Sequence, residues 1–149
     1  MKNIIYILFL LFFSCCFPKS KKNVSEQSVL FKTNTDIEKI ILHHVTLVGI
    51  YTAMDIPCED FEEAFSDIMR KDTITNRNEI DLLRTYMNNL NPISNPLSID
   101  TRARLYFISP IDTVTYCIDS GIIYSNGNYY EISDALFDYI EKFEYNTCK

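Results

Sequence analysis

Between Ala103 and Glu131 the chain alternates apolar and polar residues in four short runs separated by turn-forming residues, and this pattern confines it to an antiparallel meander. Ala103, Leu105 and Phe107 alternate with Arg102, Arg104 and Tyr106; after Ser109-Pro110-Ile111-Asp112, Val114, Tyr116 and Ile118 alternate with Thr115, Cys117 and Asp119. Ser120-Gly121 suits one tight turn, and Asn126-Gly127 is the preferred type I′ hairpin pair because both residues accept positive φ. Folding the runs at these turns sets Phe107 against Val114, Leu105 against Tyr116 and Ala103 against Ile118, on one face with Ile123 and Tyr130. That face is the predicted core. The other face then carries Arg102 beside Asp119, followed by Ile122 and Glu131; Arg104 beside Cys117, followed by Tyr124 and Tyr129; and Tyr106 beside Thr115.

Upstream, Ile40 to Tyr51 is rich in β-branched and large apolar residues and reads as one earlier strand, although Asp36 to His44 also suits a turn or two of helix. Phe61, Ala64, Phe65, Ile68 and Met69 recur at helical spacing, with acidic residues in the first turns and Arg70-Lys71 at the end, as the helix dipole favours. A second helix is expected from Thr75 or Asn76, with Glu79 as a capping-box partner and Ile80, Leu83, Met87 and Leu90 on one face; Asn91-Pro92 ends it. Ser133 caps a closing helix whose Leu136, Tyr139, Ile140 and Phe143 share a face. The expected fold is α+β: one domain over residues 37–149, an antiparallel sheet of the four-strand meander plus one earlier strand, with about three helices on one face.

The N-terminus carries an address. Lys2 precedes an uncharged apolar run, Ile4 to Phe13, and Ser14-Cys15-Cys16 follows at once, the order of an export signal. As a helix the run would rise roughly 15 Å, about half of a bilayer's hydrocarbon core, so it reads as a signal rather than a span. Phe12-Phe13-Ser14-Cys15 resembles the lipobox of bacterial lipoproteins, in which the cysteine after a small residue is diacylated and becomes the mature N-terminus. Phe12 stands where Leu is usual, and Cys16 is a second, poorer candidate. The resemblance implies a signal peptide over residues 1–14, a lipid on Cys15 and a tether over 15–36; Pro18 to Asp36 is mostly polar, with a mean reach of roughly 25 Å as flexible chain. Surface-exported lipoproteins of the Bacteroidetes carry an acidic cluster after the cysteine; Phe17-Pro18-Lys19 here implies instead an outer-membrane protein facing the periplasm.

Loss of residues 1–14 leaves 135 residues, sufficient for one core, and 13 basic against 20 acidic residues, a net charge of −7 that repels phosphate backbones. Nucleic acid is therefore not expected as a partner. Cys16, Cys58, Cys117 and Cys148 contain no C-x-x-C spacing, so neither a zinc site nor a thioredoxin-like motif is supported, and their pairing is open. Three glycines argue against nucleotide-binding loops, and no cofactor is expected.

The last fifty or so residues are similar to small uncharacterised Bacteroidetes lipoproteins and secreted proteins. The likeness rests on Ile99-Asp100-Thr101-Arg102, Cys117-Ile118-Asp119, Asn126-Gly127-Asn128-Tyr129-Tyr130 and Tyr139-Ile140. It implies a fold and no activity.

Catalytic signals are poor. His43 and His44 are adjacent, so a strand points them to opposite faces, which does not suit one metal, and none is expected. Cys58 begins a helix, yet Glu59, Asp60, Glu62 and Glu63 oppose a thiolate there. There is no G-x-S-x-G, H-E-x-x-H or P-loop. The face bearing Arg102, Arg104, Tyr106, Tyr124 and Tyr129 is rich in the side chains that anchor interfaces, although a solvated sheet also accounts for it. Two functions follow: a membrane-tethered binding module with a protein partner, of the inhibitor or immunity type, or an accessory or hydrolytic envelope enzyme using His43 or His44 with nearby carboxylates.

Overall fold

The structure is a computed structural model, and it describes residues 36–94 and 98–145. The signal, the lipidation candidates Cys15 and Cys16, almost all of the tether and Cys148 lie outside the described residues.

Seven antiparallel strands form one sheet in the order β2-β1-β4-β5-β6-β7-β3. They are β1 (Lys39–His44), β2 (Arg70–Ile74), β3 (Asn91–Pro92), β4 (Ala103–Ile108), β5 (Thr113–Ile118), β6 (Ile122–Ser125) and β7 (Asn128–Glu131). The meander β4-β5-β6-β7 has the register its alternation dictates: Phe107 faces Val114, Leu105 faces Tyr116, Ala103 faces Ile118, and Tyr124 faces Tyr129. Each turn is closed by its own residues. Ser109 Oγ accepts from the Asp112 amide, Asp119 Oδ1 accepts from the Gly121 and Ile122 amides, and Asn126 and Gly127 take φ of 49° and 79°.

Two helices lie against the apolar face, α2 (Arg77–Asn88) and α3 (Asp134–Tyr145). Asn76 caps α2 by accepting from the amides of Asn78 and Glu79, and Ser133 Oγ accepts from the Leu136 amide at the start of α3. Ile80, Leu83 and Met87 from α2 and Leu136, Tyr139 and Ile140 from α3 close over Ile40, Leu42, Leu105, Phe107, Tyr116 and Ile123 in one continuous core. Each such fully buried side chain contributes roughly 1.5–3 kcal/mol through the apolar surface it removes from water.

Three expectations are corrected between residues 39 and 74. The first strand does not run from Ile40 to Tyr51; β1 ends at His44 and the chain then leaves the sheet. The helix expected over Phe61 to Met69 is a 3₁₀ turn, Cys58–Asp60, followed by a single short α-helix, α1 (Phe61–Ala64). Arg70 and Lys71 do not close a helix but open β2, the edge strand paired to β1. Charges suit both places, since an exposed edge is blunted by them as a helix C-terminus is neutralised by them.

The chain between β1 and β2, residues 45–69, forms a strap that includes the 3₁₀ turn and α1. It has its own small core of Val45, Phe61 and Phe65, with Ile50, Ile56 and Met69 packed against it.

Candidate functional site

The sheet face away from α2 and α3 carries, by alternation, His43 on β1, Arg104 and Tyr106 on β4, Cys117 on β5, Tyr124 on β6 and Tyr129 on β7. The strap is fastened to this face at two neighbouring places. A Cys58–Cys117 disulfide, with Cα atoms 5.6 Å apart, joins the 3₁₀ turn to β5. Glu62 on α1 meets the sheet's polar side chains: its Oε1 accepts from Tyr106 Oη, lies 2.8 Å from His43 Nδ1 and 3.6 Å from Arg104 Nη1. The guanidinium of Arg104 also sits 5.0 Å from the centre of the Tyr106 ring.

This setting perturbs two groups in opposite directions. The Tyr106 hydroxyl holds the Glu62 carboxyl below its ordinary range against an opposing effect of burial, with smaller help from His43 and Arg104. Burial, and then the bond to Glu62, pushes the Tyr106 phenol well above its ordinary value. Near neutral pH the pair is therefore a carboxylate accepting from a neutral phenol.

Of the five residues expected on the binding face, the structure separates one from the rest. Arg102 precedes β4 and is 4% exposed; its guanidinium stacks over Phe65 at 5.3 Å and donates through Nη2 to Asp100 and to Thr52 Oγ1. Its carboxylate partner is Asp100, not Asp119, because Asp119 is used by the turn amides that follow it. Arg104 and Tyr106 are partly covered and engaged with Glu62. Tyr124 and Tyr129 sit side by side on the same face, half-buried, with ring centres 4.9 Å apart.

Arg102 and Asp100 instead hold the loop at the start of the strap. Asp100 Oδ1 accepts from the Ile56 amide at 3.0 Å, the Thr101 amide donates to the Ile56 carbonyl at 2.8 Å, and Ser98 Oγ donates to Asp55. Ile50 and Ile56 turn inward, whereas Val48, Tyr51 and Met54 are exposed; Tyr51 is 96% exposed. This loop is not apparent in the sequence, where Ile40 to Tyr51 reads as one strand. The available signal was Gly49, which takes φ of 92° and breaks the apolar run that looked like one long strand.

The two histidines point to opposite faces. His43 meets Glu62, and His44, 1% exposed on the core face, places Nε2 2.9 Å from Asp72 Oδ2 with Phe143 at its ring edge. Each has a carboxylate, and neither pair brings the other into reach. Cys58 is consumed by the disulfide. Among the described residues no group of three or more His, Cys, Asp or Glu could hold a metal ion, and no helix is long and apolar enough to cross a membrane. No family model, curated protein or solved structure matches this chain.

Proposed function

We propose that this chain is a lipid-tethered protein of the cell envelope, anchored through Cys15 and facing the periplasm, whose folded domain binds a protein partner; an inhibitor or immunity role suits its size and acidity. The observation that carries the binding reading is the strap. A segment that crosses a polar sheet face, is locked there by a disulfide and by the pairing of buried Arg102 with half-buried Asp100, and still leaves Val48, Tyr51 and Met54 in solvent is held rigid for contact rather than folded away. Rigid presentation lowers the ordering cost of association. Tyr124 and Tyr129, on the same sheet face, extend the surface available to a partner.

The anchor is tested by labelling cells with an alkynyl fatty acid: the full chain takes the label and partitions with membranes, and Cys15→Ser does neither, since two acyl chains supply about 0.8 kcal/mol per buried methylene. Labelling that persists in Cys15→Ser and disappears in Cys16→Ser moves the site by one residue. The binding reading is tested by chemical cross-linking of the full chain in cells followed by denaturing purification. It is lost if no protein is joined to the domain at the strap or at the tyrosine pair.

A further inference from the structure

The charge of this protein is concentrated in one place. Residues 45–69 contain six acidic residues and no lysine or arginine; the whole chain has 20 acidic and 14 basic, so everything outside the strap is balanced at 14 of each. Glu62 is turned inward to His43, Arg104 and Tyr106, while Asp55, Glu59, Asp60, Glu63 and Asp67 are exposed. The same 25 residues supply Val48, Tyr51, Met54 and Ile68, four of the six large apolar side chains that are exposed among the described residues.

We infer that the strap is the docking element for a basic protein, with Tyr51 and its apolar neighbours seated in an apolar recess of that partner and the carboxylates of the strap paired with a rim of lysine and arginine. The inference rests on the binding reading above and specifies its surface and its partner. An exposed tyrosine on a backbone held at Thr52 and Ile56 has the features of an interface anchor: large contact area, few rotatable bonds and little left to order on binding. The surrounding charge selects among occupants. A second copy would set one acidic strap against another, and a bilayer rich in anionic headgroups would repel five exposed carboxylates. A basic partner gains from the same charges, both in its rate of encounter and in orientation.

The test uses the full chain in cells, with the photoreactive amino acid p-benzoylphenylalanine placed at position 51 and, separately, at position 124. The expected result is a protein adduct from position 51 whose cross-linked peptide lies among lysines and arginines. Its yield should fall about tenfold in a variant carrying Glu59→Gln, Asp60→Asn and Glu63→Gln whose thermal midpoint is unchanged. Neutral amides rather than lysines keep α1 and its flanking turn foldable. A protein adduct at 124 alone overturns the inference and leaves the binding reading standing; no protein adduct at either position overturns both. An adduct with a second copy or with lipid, or a yield at 51 indifferent to the neutralised rim, overturns the inference.

Discussion

Tyr106 on β4 donates its hydroxyl to Glu62 on α1, so that the sheet and the strap share a hydrogen bond in which one partner is ionised and the other is not. The Glu62 carboxyl is lowered from its usual 4.5, chiefly by this bond, so the stability it supplies is present above pH 4.5 and is lost as pH falls through the lower folded value. The difference in urea midpoint between the wild type and Glu62→Gln should therefore be full near neutral pH and shrink in acid. With Glu62 partly open to solvent, water screens its charge and the difference stays small.

The alkaline limb has the opposite sign. Tyr106, Tyr116 and Tyr139 all titrate above the ordinary 10.0, Tyr139 at about 12, each chiefly because burial penalises the phenolate. Folding is stabilised below pH 10 and this contribution is lost as pH rises through the folded values. Tyrosinate absorbance should show Tyr106, Tyr116 and Tyr139 ionising only above pH 10, where the fold itself gives way. Tyr106→Phe should remove one proton from that late step.

Reduction of Cys58–Cys117 opens a link between residues 59 positions apart, and the loop-entropy account assigns such a link about 4 kcal/mol. Paired Cys58→Ser and Cys117→Ser substitutions should lower stability by up to that amount. Hydrogen exchange should locate the loss: amides of the strap should exchange faster, while β4 and β5, tied by a full ladder, should stay protected.

Arg102 is almost fully buried, so its partner matters more than its charge. Asp100→Ala leaves a guanidinium without its carboxylate and should cost about 3 kcal/mol in chemical denaturation. Replacing both residues, Arg102→Met with Asp100→Asn, removes the charges together and should cost less than the single change. The reverse ranking would mean that stacking on Phe65 holds the loop in place of the ion pair.

At Gly127 an added Cβ would meet nothing within 4 Å, but φ of 79° strains any other residue. Gly127→Ala should therefore lose roughly 1–3 kcal/mol by thermal unfolding, and Gly127→Val more than Gly127→Ala, because the cost lies in the residue's own backbone and a β-branched side chain tolerates positive φ least. A Gly127→Ala variant melting with the wild type would mean that the turn does not depend on positive φ at this position.

The meander was legible because a period of two, a capped turn and an Asn-Gly pair specify the same register, and a slip of one residue would put Arg104 and Tyr106 into the core. The two long helices were legible for a similar reason, as Asn76 and Ser133 mark starts that the apolar spacing confirms. The strap was not. Phe61, Phe65 and Met69 repeat at helical spacing, yet they fill a small core of their own under a single helical turn. Arg102 shows the same limit, since an arginine in an alternating run reads as outward-facing whether its guanidinium reaches water or, as here, Phe65 and Asp100. Which carboxylate or thiol meets which sheet residue depends on how 25 residues cross the face, and local pattern does not encode that path.

His44 pairs with Arg70, so the strands on either side of the strap are already neighbours where it leaves and rejoins the sheet. Adjacent antiparallel strands can be joined by two residues, and the strap's apolar cluster is separate from the main one. The sheet thus serves as a chassis and the strap as a detachable cassette: a chain in which residues 45–69 are replaced by a two-residue turn should lose stability yet still fold its two-helix core, as a cooperative melt checks.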